Sequence, residues 1–173
     1  MNCEIETDRL RLKRFVEGDA AFIVSLLNQP SFLRFIGDKG VRTLEDAQSY
    51  IRNGPIKSYQ EHGFGLYLVE LKSKQLPIGM CGLLKRDSLP NVDLGFAFLP
   101  EFWREGYAHE AASAVLAHAQ NDLGLERILA IANPDNDASI RLLEKLGFKF
   151  ETPIKLSNET APVKLFSHDV ETS

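Results

Sequence analysis

The 173-residue sequence predicts a mixed α/β domain. It reads as a mostly antiparallel, twisted sheet with one β-α-β crossover in its middle and helices on its flanks. Three observations carry this. Apolar segments at 63–71, 77–85 and 91–99 follow one another across short polar turns, the pattern of antiparallel neighbours. A small-residue helical pattern from Ala108 then runs into the apolar strand Arg127–Ala132, which makes the crossover. A further helix and two strands close the chain. With no internal repeat, linker or low-complexity segment, residues 1–173 read as a single domain.

Taken in order, "RLRLKRF" at 9–15 alternates and predicts a strand. Asp19 is placed to cap a helix through Leu27, with Phe22, Ile23, Leu26 and Leu27 as its apolar stripe. In "TLEDAQSYIRNG", Thr43 is the N-cap and Asp46, three residues on, a variant of the capping box. That helix is expected to end before Gly54. "GFGLYLVEL" and "PIGMCGLLK" form a hairpin about the turn "KSKQ". "NVDLGFAFL" adds a third strand, in which Gly95 predicts a bulge. In the next helix Ala108, Ala111, Ala112, Val115, Leu116, Ala119 and Leu123 fall at helical intervals. "DNDASIRLLEKLGF" predicts a helix with Ile140, Leu143 and Leu146 inward, ended by Gly147 in the position that follows the C-cap. Strands at 148–156 and 163–170 complete the chain.

Composition narrows the function classes. The formal net charge is −4, and phosphate-backbone binding needs a basic face, so nucleic acid is not expected as a partner. No apolar run approaches the ~20 residues of a membrane span, and the opening "MNCEIETDRLRLKRF" lacks the apolar core of a signal peptide. Cys3 and Cys81 make no metal-spacing motif, so no metal is expected, and reduced thiols fit a cytoplasmic protein.

The most informative stretch is "PEFWREGYAHEAASAVLAHA", residues 100–119. A helix start ordinarily carries Ser, Thr, Asp or Asn as its cap, and here stand Gly106, Tyr107 and Ala108. The first turn of a helix leaves N–H groups unpaired at the positive end of its dipole. An anion satisfies both, provided that small residues let it approach the backbone. The plain alternative is a loop glycine followed by alanines that let the helix lie close on the sheet. The stretch is not a P-loop, for no Lys and hydroxyl residue follow the glycine, nor is it a dinucleotide G-x-G-x-x-G.

With "TDRLRLKRF", "PIGMCGLL", "VDLGFAFLPEFWREGYAHEA" and "NPDNDASIRLLEKLGF" in this order and spacing, the chain resembles the GNAT superfamily of N-acetyltransferases, in its RimJ/RimL-like branch. The resemblance implies the acyl-CoA N-acyltransferase fold and acetyl-CoA as co-substrate. The acceptor it implies is a primary amine, either a protein N-terminus or a small molecule, acetylated by direct attack in a ternary complex. A catalytically silent acetyl-CoA-binding regulatory domain is the alternative, and a homodimer is left open. Carried over residue by residue, Trp103, Arg104, Glu105, Gly106, Tyr107 and Ala108 wrap the CoA pyrophosphate. Phe96, Ala97 and Phe98 pair their backbone with the pantetheine arm, with the bulge at Gly95 opening a slot for the thioester. Asn136 and Ser139 reach the cofactor with their side chains. Asp93, where the branch often has glutamate, is the candidate base; a solvated or cap-forming aspartate is the alternative. The Phe98 region is nominated for the oxyanion.

Two departures from the pattern matter. Arg104 stands where the branch commonly has glycine, which strains the backbone if φ is positive there and otherwise offers a guanidinium to phosphate. Leu143 stands where the wider superfamily has a general-acid tyrosine. Histidines 62, 109, 118 and 168 lack evident partners and read as exposed or structural. Cys81 reads as a small buried hydrophobe, which disfavours an acyl-cysteine. Phe102 and Trp103 either wall the cofactor or pack, and Phe32, Arg34 and Phe35 either shape the acceptor site or belong to the core.

Overall fold

The computed structural model describes residues 3–156 and 161–169. Eight strands and six α-helices follow in chain order. They are β1 (Cys3–Glu6), β2 (Leu10–Arg14), α1 (Ala20–Leu27), α2 (Pro30–Phe35), α3 (Leu44–Ile51), α4 (Lys57–His62), β3 (Leu66–Leu71), β4 (Leu76–Leu84), β5 (Asp93–Phe98), α5 (Tyr107–Asn121), β6 (Arg127–Ala132), α6 (Asp137–Lys145), β7 (Lys149–Ile154) and β8 (Val163–Asp169). Val170, expected to end the last strand, lies outside the described residues.

One sheet holds all eight strands in the order β1-β2-β3-β4-β5-β6-β8-β7. Every neighbouring pair is antiparallel except β5 and β6. That parallel pair requires a crossover, which α5 supplies. The predicted fold class is the observed one. β3 and β4 are buried on both faces and divide the core in two. Tyr67, Val69, Cys81 and Leu83 pack on one side with Ala111, Ala112, Val115 and Ala119 of α5 and with Leu143 of α6. Leu66, Leu68 and Met80 pack on the other with Ile23 and Leu26 of α1 and with Ala47 and Ile51 of α3. The alanine stripe of α5 is fully buried, so the helix does lie close on the sheet.

Three elements differ from expectation. β1 was not foreseen, because "CEIE" holds one apolar residue between acids and gains its order from pairing with β2. α2 starts on Pro30, which is preset for a first helical position; it turns Phe32 into the core. The helix expected to stop before Gly54 continues through a π turn, Arg52–Ile56, into α4. Pro55 has no N–H to give an i→i−4 bond, and the wider turn absorbs its ring while burying it. The prize of continuing is Tyr59 of α4, whose hydroxyl donates to the Leu66 carbonyl and accepts from the Phe15 N–H at 3.0 Å.

Asp19 stands at the N-cap of α1 but makes no side-chain cap bond there, because its carboxylate accepts instead from the Val16 N–H at 2.9 Å; the other two capping predictions hold. The Thr43 hydroxyl accepts from the Asp46 N–H at 3.0 Å, and the Asp46 carboxylate accepts from the Thr43 N–H at 3.2 Å. Gly147 follows α6 with φ +97°, and the Phe148 N–H returns to the Leu143 carbonyl at 2.9 Å.

Candidate active site

The site begins with backbone that the sheet leaves unpaired. β5 pairs with β4 without a break from Gly79↔Phe98 to Leu84↔Asp93, so the bulge expected at Gly95 is absent. Gly95 serves packing instead: a Cβ there would stand 2.9 Å from Leu84 Cδ1. The opening arises on the other edge. β5 meets β6 at one register position, Asp93↔Leu129, and beyond it the ladder stops among the described residues.

Strand alternation then fixes which groups face the gap. The Leu99 N–H donates to Ile78 O on β4, and the Leu129 N–H donates to Val92 O. Odd-numbered residues of β5 therefore turn their backbone to β4, and even-numbered ones turn it to β6. Phe96 and Phe98 present their main chain to the gap, and Ala97 does not. Ala97, expected to pair with a pantetheine arm, spends its backbone on Met80 across the ladder. The Phe98 carbonyl is itself taken, by the indole N–H of Trp103 at 2.9 Å. What remains toward the gap is the Phe96 N–H and carbonyl and the Phe98 N–H.

The unpaired stretch runs toward the C-terminal ends of the two parallel strands, and α5 and α6 begin beyond those ends. At α5 the N-cap is Gly106, φ +82°, with no side-chain cap bond, as the sequence predicted. Among the described residues no side chain accepts from the N–H groups of Gly106, Tyr107 or Ala108. Arg104 is also left-handed, φ +67°, so the first branch of the expectation holds and its backbone is strained by roughly 1–2 kcal/mol. Its side chain is exposed and makes no ion pair among the described residues. Trp103 is exposed and Phe102 half-buried against both halves of the core.

At α6, Asn136 is the N-cap. Its Oδ1 accepts from the Ser139 N–H at 3.2 Å and its Nδ2 donates to Ser139 Oγ at 3.0 Å. The two expected side chains are thus brought together, holding each other at the end of β6.

Asp93 opens β5 on the face toward α1 and α3, its side chain fully buried. Arg86 Nε donates to both carboxylate oxygens, at 3.1 and 3.2 Å. Burial pushes the Asp93 carboxyl above the usual carboxylate range, and the Arg86 charge and hydrogen bond oppose it. The solvated alternative for Asp93 is thereby corrected. Arg86 was not singled out in the sequence, since nothing local ties a hairpin-loop arginine to a strand aspartate. It also lies near Tyr50 of α3: burial raises the Tyr50 hydroxyl, and Arg86 opposes that too.

The structure places the remaining residues as follows. Cys81 is completely buried, and burial alone raises its thiol far above the range of a usable nucleophile. Leu143 is core. His118 Nδ1 meets Asp122 Oδ2 at 2.7 Å, His62 stacks on Phe64, and His168 packs on Phe148. Phe32 is core, while Arg34 lies over the half-buried Phe35 ring at 4.7 Å. Two open grooves lie elsewhere: one of about 390 Å³ beside Lys39, Asp46, Ser49 and Tyr50, the other at the N-terminal ends of β5 and β6. The β5–β6 opening is defined by unpaired backbone rather than by enclosed volume. No helix among the described residues is long and apolar enough to cross a membrane.

Comparison with known proteins identifies the family. The acetyltransferase (GNAT) domain family matches residues 9–149. The chain is 32% identical over 149 residues to the uncharacterized N-acetyltransferase YoaA of Bacillus subtilis, covering 85% of this chain and 83% of that one. The crystal structure of a GNAT-family acetyltransferase from Bacillus anthracis superposes with a TM-score of 0.79 at 25% identity, over 95% of this chain and 97% of the other. RimL, a ribosomal L7/L12 alpha-N-protein acetyltransferase solved with coenzyme A, shares the fold at a TM-score of 0.80 and 16% identity, over 95% and 96% of the two chains. An unpaired strand edge leading into an uncapped helix, within a sequence matched over most of its length, places this chain in the GNAT family of acetyl-CoA-dependent N-acetyltransferases.

Proposed function

We propose that the chain moves an acetyl group from acetyl-CoA to a primary amine, either a protein N-terminus or a small amine, by direct attack in a ternary complex. The observation that carries this is the free main-chain groups of Phe96 and Phe98 together with the uncapped start of α5. Phe96 and Phe98 would hold the pantetheine arm. Residues 103–108 would hold the pyrophosphate, with Asn136 and Ser139 bordering it from α6. Bound there, acetyl-CoA supplies a thioester, an acyl group already activated toward amines. The buried Cys81 supports direct transfer over a relay through an acyl-enzyme.

An ammonium must lose a proton before it attacks. We assign that proton to Asp93. Burial makes its carboxylate more basic than a solvated one, which suits a base, and Arg86 favours its ionised form. The amine would take the place of the Arg86 Nε at one carboxylate oxygen, or reach it through one water. Release of CoA thiol over an amine panel that includes peptides with free N-termini tests the reaction. Tight acetyl-CoA binding with no turnover on any amine would overturn it and leave a cofactor-binding regulatory domain. Asp93→Asn tests the base: turnover at neutral pH should fall by about a hundredfold, less so as pH rises and the amine arrives deprotonated, with acetyl-CoA affinity unchanged. A loss that is uniform in pH would make Asp93 and Arg86 a pair that holds the strand.

A further inference from the structure

The motif "TDRL", residues 7–10, leads into β2 and plays no part in the chemistry above, yet it reaches across 101 positions of sequence to the start of α5. Arg9 Nε donates to Glu110 Oε1 at 2.7 Å, and its NH1 donates to the Glu105 carbonyl at 2.9 Å. The Arg9 guanidinium lies over the Tyr107 ring at 4.4 Å. Its NH2 comes so near the N-cap that a Cβ on Gly106 would stand 3.3 Å from it. The other Glu110 oxygen accepts from the Thr7 hydroxyl at 2.5 Å and from the Arg9 N–H at 3.0 Å.

Resting on the reading that the loop binds acetyl-CoA through its phosphates, we propose that Arg9 is a positioning residue for the CoA loop. It holds the main chain of Glu105 and Gly106 so that their amides face the phosphates. The peptide between these residues is trans, so its carbonyl and N–H point to opposite sides. Arg9 captures the carbonyl from the β2 side and thereby turns the Gly106 N–H away from itself. The same side chain disposes of Glu110. An acid in the first turn of a helix would ordinarily attract the free N–H groups or repel an incoming anion. Here Thr7 and Arg9 draw its carboxylate back, leaving Gly106, Tyr107 and Ala108 uncapped. Without the clamp, the segment between left-handed Arg104 and Gly106 would have to be ordered by the ligand itself. Ordering the backbone of one residue is worth roughly five- to thirty-fold in affinity.

The test compares two acyl donors, since S-acetyl-pantetheine has the arm and the thioester but neither the pyrophosphate nor the nucleotide. Calorimetric titration of Arg9→Ala with acetyl-CoA should show Kd raised about tenfold. Arg9→Lys should recover little of this, because an ammonium cannot bridge a carboxylate and a carbonyl as the planar fork does. kcat/KM for S-acetyl-pantetheine should stay within about twofold of the parent chain, where a general packing role would lower it in step with acetyl-CoA. Glu110→Gln, which keeps the shape and removes the charge, should shift Kd in the same direction and serves if Arg9→Ala does not fold. Unchanged acetyl-CoA affinity in both Arg9→Lys and Glu110→Gln, or an equal loss with both donors, overturns the proposal. A parent chain that fails to bind acetyl-CoA overturns the loop assignment first and this inference with it.

Discussion

Gly106→Val separates a loop that holds phosphate from a loop that merely turns. Gly106 sits at φ +82°, where a side chain costs roughly 1–2 kcal/mol and a β-branched one is a marked outlier. Replacing glycine also removes the extra freedom of the unfolded chain, which returns about 0.5–1 kcal/mol. The near neighbour of the new Cβ, Arg9 NH2 at 3.3 Å, is the far end of a flexible side chain and can move. Folding should therefore lose about 1 kcal/mol, a fall in Tm of about 2–4 °C for a chain of this size. Binding should suffer more. A β-branched residue at this φ pulls the N-cap backbone out of line, and moving Arg9 frees the Glu105 carbonyl that orients the Gly106 amide. A loss of acetyl-CoA affinity beyond tenfold, over about 1.4 kcal/mol, is expected from calorimetry on the folded variant. Unchanged affinity would return the uncapped start of α5 to the plain reading, small residues letting a helix pack.

Acetyl-CoA at about a hundred times its Kd should add roughly 2.7 kcal/mol to stability and raise Tm by about 5–10 °C; no shift at millimolar cofactor would refute the site. Arg104→Gly relieves the strain at φ +67° but adds unfolded-state freedom, so urea titration should show a gain below about 1 kcal/mol. A clear loss would mean that the arginine side chain contributes contacts of its own. Two carboxyls should pull stability in opposite directions with pH. Burial raises Asp93 above its unfolded value despite Arg86, so its contribution is full below the ordinary carboxylate range and declines as pH rises through the raised value. Burial also pushes Glu110 upward, but Thr7 and Arg9 outweigh it and leave the group lowered, so its contribution is full above the unfolded value and is lost as pH falls. Urea melts across the acid range on Asp93→Asn and Glu110→Gln should each remove one of these slopes; the same slope in both variants and the parent would refute the assignment.

Local pattern was enough for the sheet's centre because β3, β4, β5 and β6 carry their own signals: apolar runs, short turns and an alanine stripe on the helix between them. It was enough for the bare start of α5 too, since a missing cap is visible residue by residue. It failed where order comes from elsewhere in the chain. "CEIE" is a strand only because β2 lies beside it. Gly54 and Pro55 break a helix in isolation, and here the burial of Pro55 and Tyr59 overrides them. Gly95 looked like a bulge because glycine in a strand has two explanations, and only the pairing with β4 decides for close packing. The same limit hid Arg86 behind Asp93 and Arg9 behind Glu110. Both are ion pairs whose partners are set by topology rather than by spacing.

Main-chain groups are costly to leave unpaired inside a sheet, and nearly all buried ones find partners. This chain leaves them unpaired at two neighbouring places, the β6-facing edge of β5 and the start of α5. The register ends at Asp93↔Leu129, Phe96 and Phe98 then offer alternate donors and an acceptor along an extended strand, and α5 adds the positive end of a fifteen-residue helix. Each part alone has an ordinary explanation: a frayed parallel pair, a loop glycine, alanines chosen for packing. Their order does not. A ligand that satisfies all of them must be extended, must carry amide-like groups along its length, and must end in a strong anion. The Trp103 indole takes the Phe98 carbonyl, while Thr7 and Arg9 hold the Glu110 carboxylate and leave the N–H groups at the helix start without a side-chain partner. Glu110, the acid of that first turn, spends its carboxylate on Thr7 and Arg9 and accepts from no N–H group of α5.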